Sequence, residues 1–408
     1  MHCQQDMLDV SAHSRASIAP QHFFVVSVMA SIVARCLRGD LVNRSQCCVR
    51  LCLTLLTLAC LAAGGTVPAV RAEEPLRPPP QPTRGLGANG PCRSVPSVHA
   101  NPHDATQKIT IYNPEGRGST PLVGGRCADA KRPVVVVVHG LLAGIDAQIL
   151  GPSLLYRDVI DHFVSTGNVV VFASWPTDPY SFDTSVPKED QALAVAQSLA
   201  PRGDFSRVGF VGHSMGGSAV PYLAQRAVAR HWGTSALWLF QLAPAFATGV
   251  GDGPITVPPH TRIVVENYDH DNILDTRIGI EQFTAYTVPL DQKAHVLVRS
   301  DIRGPLTRLD ATHLSPNSIL APNDAIRFYG IFRTGDALQS CSLTGRDCHA
   351  DLRYMGRWSD GRPVRAAIVS DHPVDAGPPA VAFSAFGLRG ECESPHNPRA
   401  SRCPASRP

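Results

Sequence analysis

Apolar residues in this chain fall mostly into short unbroken runs, separated by stretches whose apolar residues recur with helical spacing. The clearest run is Pro133 to Val138, five valines in succession. A continuous β-branched run of that length predicts a strand covered on both faces. The same pattern predicts strands at 168–173, 207–211, 236–242, 262–268 and 294–298, and a short one at 110–112. Helical spacing predicts helices at 154–166, 189–199 (directly after Pro187), 218–230 and 280–286, with a closing helix at 323–339. Repeated β-α-β order implies a parallel sheet with helices on both faces, so residues 106–340 are expected to form a doubly wound, mostly parallel α/β domain.

The flanks differ in character. Residues 73–105 are rich in Pro, Gly and Arg, including Pro78 to Pro80, and are expected to be a linker or an arm over the core. Residues 341–408 form a cysteine-bearing C-terminal extension. Within it, Ser359-Asp-Gly-Arg362 between 354–358 and 364–369 predicts a hairpin. The last stretch, 390–408, has few apolar side chains. Near the start, Arg50 precedes an apolar run from Leu51 to Ala63, followed by Val70-Arg71-Ala72 and two glutamates. A basic flank, a short apolar core and an Ala-ended site describe a secretory signal peptide, so residues 1–72 are expected to be a leader with an N-terminal extension. Translation from Met29 and a retained membrane anchor are the alternatives. With the leader removed, no stable membrane span and a secreted or periplasmic location are expected.

Composition narrows the function. The 408 residues are 44% hydrophobic and 17% charged, enough to bury a sizeable core. A net charge of +3, with no basic block interleaved with aromatics, gives no case for a nucleic-acid partner. Six of the 12 cysteines, Cys92, Cys127, Cys341, Cys348, Cys392 and Cys403, follow the expected cleavage site. An even number after an export signal argues for disulfides. Proximity in sequence favours Cys92–Cys127, Cys341–Cys348 and Cys392–Cys403. No C-x-x-C pair is present in that portion, and no metal site is expected.

The chemistry centres on Gly212-His-Ser-Met-Gly216, which follows the apolar run 208–211 and precedes the helix expected at 218–230. A strand, a tight turn and a helix with serine at the apex form a nucleophile elbow. The flanking glycines leave room where strand and helix nearly touch. A serine hydroxyl needs a base within hydrogen-bond reach, and the base needs an orienting acid. On a doubly wound sheet both must come from turns at the C-terminal edge of the strands. The turn after 262–268 offers Asp271, with Asp269 as the alternative and Asp275 as a helix cap. The loop beyond 294–298 offers His313, whereas His295 lies at the wrong end of its strand. The oxyanion of a tetrahedral intermediate needs two donors. The backbone N–H of Met215 is one, and that of Leu141, in the loop His139 to Gly144, is the other.

These residues together resemble the α/β-hydrolase superfamily over about residues 105–340. The Gly-His-Ser-Met-Gly-Gly segment is similar to lipase- and cutinase-like esterases and to chlorophyllase- and dienelactone-hydrolase-like proteins. The resemblance implies a Ser214–His313–Asp271 triad with Leu141 and Met215 as oxyanion donors, an ester substrate and no cofactor. Two departures stand out: leucines after His139-Gly140 where polyester hydrolases often carry an aromatic, and a longer tail than a minimal cutinase needs. Only a Gly- and Pro-rich stretch, 243–260, separates two core strands where this fold usually inserts a cap, so an open site suited to bulky or aggregated esters is expected. Trp175 and Tyr180 either line that cleft or pack a surface loop. Acyl transfer or amide cleavage by the same residues, and a non-catalytic binding protein on the same fold, are the rival readings.

Overall fold

The valine run forms β3 (Arg132–Val138), and all seven of its residues are buried. Successive side chains leave a strand on opposite faces. Val134, Val136 and Val138 accordingly join one core cluster, and Val135 and Val137 join a second on the other side of the sheet. Each fully buried valine is worth roughly 1.5–3 kcal/mol against exposure, which is why so uniform a run specifies a central strand. The computed structural model describes residues 75–141, 152–175, 182–247, 253–374 and 381–382. The expected leader, residues 1–72, and the pair Cys392 and Cys403 lie outside them.

Around β3 the sheet is built from β1 (Arg93–Asn101), β2 (Asp104–Glu115), β4 (Val169–Ala173), β5 (Gly203–His213), β6 (Ala236–Leu242), β7 (Arg262–Tyr268) and β8 (Lys293–Val298). A two-stranded hairpin, β9 (Asp301–Gly304) with β10 (Thr307–Leu309), stands apart, and β11 (Ile368–Ser370) completes the large sheet. The nine strands run in the order β1-β2-β4-β3-β5-β6-β7-β8-β11. Those from β4 to β8 pair in parallel, while β1, β2 and β11 are antiparallel to their neighbours. Helices α2 (Phe182–Leu199) and α3 (Met215–Ala229) cover one face through Leu193, Ala196, Ala219 and Leu223. Helices α1 (Arg157–Ser165) and α5 (Arg333–Thr344) cover the other through Val159, Phe163 and Leu338. Helix α4 (Thr276–Ala285) follows β7 and is capped by Asp275, whose carboxylate accepts the Arg277 N–H at 2.9 Å. This is the doubly wound, mostly parallel α/β-hydrolase architecture expected from the sequence. After β3 the chain moves to β4 on one side and then to β5 on the other. The crevice outside the C-terminal ends of β3 and β5 is therefore a topological switch point, where open α/β sheets bind ligands.

Several elements differ from expectation. The stretch 73–105, expected as linker, carries β1, and β2 is far longer than 110–112. Their outer residues alternate between exposed and half-buried, as on a solvated antiparallel edge, and so lack a continuous apolar run. Helix α2 starts ahead of Pro187 and contains it. The closing helix opens with a π-helical segment, Ile326–Phe332, before α5. The expected hairpin at 354–369 is reduced to a single bridge between Arg357 and Pro363, because β11 pairs with β8 instead. The disulfides Cys92–Cys127 and Cys341–Cys348 are formed. Among the described residues, no helix is long and apolar enough to cross a membrane.

Candidate active site

Strand β5 ends at His213 and α3 begins at Met215, so Ser214 alone makes the turn. Its backbone sits at φ 57° and ψ −123°, a costly conformation for a residue with a side chain. Three hydrogen bonds hold it there. The Ser214 N–H donates to the Leu242 carbonyl at 2.9 Å, and its own carbonyl accepts from Ser218 N–H at 3.1 Å and Ala245 N–H at 2.9 Å. The glycines are needed for the reason expected. A Cβ at Gly212 would stand 2.4 Å from the Gly216 carbonyl oxygen, and one at Gly216 would stand 2.2 Å from that of Val138. Met215 is buried and opens a 15-residue helix. Its amide therefore lies at the positive end of the helix dipole, where N–H groups have no partner within the helix.

The loop after β3 lies against the serine. A Cβ on Gly140 would come within 2.9 Å of the Ser214 Cβ and 3.4 Å of its Oγ. His139 is fully buried, and that burial pushes its pKa down to about 4. The ring is neutral. Its Nδ1 lies 2.8 Å from the Gly140 carbonyl, to which it donates, and its Nε2 accepts the Trp175 N–H at 3.2 Å. The Trp175 indole also donates to the His139 carbonyl. At 2% exposure, Trp175 buttresses this loop. Because a peptide is planar and trans, pinning the Gly140 carbonyl directs the Leu141 N–H the opposite way. Leu141 itself is 47% exposed. Leu142 to Gly144, like Tyr180, lie outside the described residues.

The two acidic candidates separate cleanly. Asp271 accepts the N–H groups of Ile273 and Leu274 through Oδ1, at 2.8 and 2.7 Å. Its Oδ2 is then directed at His313 Nδ1, 2.8 Å away. Asp269 instead accepts the N–H and hydroxyl of Ser300, at 2.8 and 2.7 Å. The same hydroxyl accepts the Ala311 N–H, and His270 N–H donates to the Ala311 carbonyl. Asp269 thus staples the acid turn to the loop that carries His313. Buried Arg327 holds the far side of that loop, donating to the carbonyls of Ser315 and Asn317 and pairing with Asp158. His295, at the start of β8, is buried against Asn267. The structure therefore brings His313 onto Asp271, Gly140 onto Ser214, and the His313 ring alongside that of His213, with centroids 4.7 Å apart.

Two residues not singled out from the sequence complete the site. The Tyr156 hydroxyl accepts the Gly140 N–H at 3.0 Å and lies 2.9 Å from His213 Nδ1. His213 Nε2 is 2.8 Å from the carbonyl of His313. Burial, and the proximity of His313, hold the His213 pKa well below its ordinary value. Burial raises that of Tyr156 to about 12. The sequence gives no signal for Tyr156, which depends on how the chain returns from β3. His213 is part of the elbow motif, directly after Gly212 at the end of buried β5. Between β6 and β7, residues 243–247 and 253–261 contain no helix.

No family model matches the chain. Over 137 residues it is 30% identical to esterase EstD of Thermotoga maritima, and the match covers 32% of this chain and 32% of that protein. The chain thus spans about a third of the length of the curated relative it matches. Among solved structures, an inhibited esterase B from Lactobacillus rhamnosis is similar with a TM-score of 0.40 and 14% identity, over 60% of this chain and 87% of that one. MGS-M1, an α/β hydrolase from a Medee basin deep-sea metagenome library, gives 0.37 and 15%, over 52% and 84%. The chain's own sheet order, with helices on both faces and a strained serine between β5 and α3, gives it the α/β-hydrolase fold.

Proposed function

We propose that this chain is an exported serine hydrolase that cleaves carboxylic esters through an acyl-enzyme on Ser214. The observation that carries the proposal is the convergence at one sheet edge of a strained serine, a glycine backbone against its hydroxyl, and a histidine paired with a buried aspartate. Ser214 Oγ attacks the ester carbonyl, and the free nitrogen of the His313 ring takes its proton. Asp271 holds the other ring nitrogen as a donor and stabilises the imidazolium that forms. The oxyanion is received by the N–H groups of Leu141 and Met215, each worth about 3 kcal/mol to the transition state. The Gly140 N–H is already committed to Tyr156, so it does not compete for that role. His313 returns its proton to the leaving alcohol. Water, activated by the same ring, then releases the acid and restores the serine. The chemistry needs no cofactor.

The esterase name of the Thermotoga maritima relative supports the ester class. The absence of helix among the described residues 243–247 and 253–261, between β6 and β7, supports bulky or aggregated esters as substrates. Export is supported by the apolar segment before Ala72 and by the two disulfides, which persist in oxidising compartments. The test is hydrolysis of nitrophenyl esters of short and long acids by the wild type, Ser214→Ala and His313→Ala. Turnover lost in both variants supports the proposal, and turnover kept by Ser214→Ala ends it. A mature N-terminus at Glu73 supports export, and an intact leader on the mature chain opposes it.

A further inference from the structure

The hydroxyl of Tyr156 and the imidazole of His213 form a buried relay between the two moving parts of the proposed reaction. One end is the backbone amide of Gly140, beside the expected oxyanion donor, and the other is the backbone carbonyl of His313, the base. The direction of each bond is fixed. A carbonyl only accepts, so His213 Nε2 carries the proton and donates to His313. Burial keeps His213 from taking a second proton, which leaves Nδ1 as an acceptor. An amide N–H only donates, so the Tyr156 oxygen accepts from Gly140 and its own proton goes to His213 Nδ1. The Asn317 carboxamide also faces this hydroxyl. The reverse tautomer of His213 would set a ring lone pair against the His313 carbonyl at 2.8 Å and is excluded.

From this geometry we infer that Tyr156 and His213 are positioning residues. They hold the His313 loop and the Gly140 loop in one register around Ser214, while His213 remains neutral beside a base that must become positively charged. The inference rests on the hydrolase reading above. Neither side chain reaches the reacting atoms; each acts through the backbone of a residue that does. The two loops follow different strands, β3 and β10, and these two side chains join their backbones, so the relay crosses a gap that the sheet alone does not fix. A neutral relay also avoids a second cation 4.7 Å, ring to ring, from the imidazolium.

The experiment compares Tyr156→Phe, His213→Leu and His213→Gln with the wild type, each checked for folding by circular dichroism. The readouts are kcat and KM on a nitrophenyl ester and the rate at which an alkyl fluorophosphonate labels Ser214. Phenylalanine keeps the ring and removes only the hydroxyl, and glutamine keeps a donor near the position of Nε2. The expected result is a fall in kcat and in labelling rate of about tenfold or more for Tyr156→Phe and His213→Leu, with KM within about twofold. His213→Gln should recover most of that loss. Folded Tyr156→Phe and His213→Leu proteins with wild-type kcat and labelling rate overturn the relay while leaving the hydrolase reading intact. A loss carried by KM alone, or no recovery with glutamine, overturns it as well. A wild-type chain that neither turns over nor labels at Ser214 overturns the reading beneath it.

Discussion

Glu266 offers a sharp test of the packing beneath the site. It lies on β7, fully buried, with Val264 and Tyr268 on the same face of the strand. Neither of its carboxylate oxygens has a well-formed hydrogen bond, and the Tyr268 hydroxyl facing it has none either. Burial, partly offset by Tyr268, raises its pKa from 4.5 to about 8, so the folded protein holds this proton at neutral pH. The sign follows directly. Between pH 4.5 and 8 the unfolded chain has released a proton that the folded chain keeps, so stability falls as pH rises through that window. At ~1.4 kcal/mol per pH unit, the loss between pH 5 and pH 8 is about 3 kcal/mol. Glu266→Gln keeps the shape and cannot titrate. Any constant packing difference cancels when two pH values are compared, and so does every other titration in the protein. Urea unfolding of both proteins at pH 5 and pH 8 should show the variant gaining about 3 kcal/mol on the wild type between the two. An equal difference at both pH values would refute a protonated Glu266 and the apolar burial that causes it.

Three further outcomes are expected. The buried rings of His139 and His295 have pKa values lowered to about 4, so the unfolded chain takes up protons that the folded chain refuses. Each ring should lower stability as pH drops from 6.5 towards 4, by up to about 3 kcal/mol, opposite in sign to Glu266; a His295→Gln variant whose urea unfolding free energy keeps the wild type's pH dependence over that range would contradict the burial of that ring. Asp271→Asn should lower kcat on the order of a thousandfold, while Asp269→Asn, still able to accept from Ser300, should stay within about tenfold of wild type; the reverse ranking would exchange their roles. Cys92–Cys127 closes 35 residues and Cys341–Cys348 closes 7, so chain entropy assigns the first about 4 and the second about 2 kcal/mol. Paired Cys→Ser variants should lower the unfolding free energy in that order.

The legible parts of the fold were those whose strands are buried on both faces. The runs at 133–138 and 168–173 have one reading because β3 and β4 meet apolar neighbours on either side. Strand β1 was not legible. Its alternation is shallow, with Val95 and Val98 exposed, and Pro96 interrupts it at the open edge. At the site, the elbow could be read because one tight turn fixes Ser214 and both glycines locally. Choosing between Asp269 and Asp271 could not be done from local sequence, because the deciding partners, Ser300 and His313, are brought in by β8 and the loops beyond it. The one local clue was the turn itself, in which two residues after Asp271 donate to its Oδ1. Tyr156 was invisible for the same reason, since its partners Gly140 and His213 lie 16 and 57 residues away.

Covalent capture at Ser214 tests the central claim most directly. After incubation with an alkyl fluorophosphonate, peptide mass spectrometry should find a single adduct, on the peptide containing Gly212 to Gly216. It should be absent from Ser214→Ala and should form at least about a hundredfold more slowly in His313→Ala. A folded wild-type protein that carries no adduct, or carries it on another residue at an equal rate in Ser214→Ala, would contradict the account.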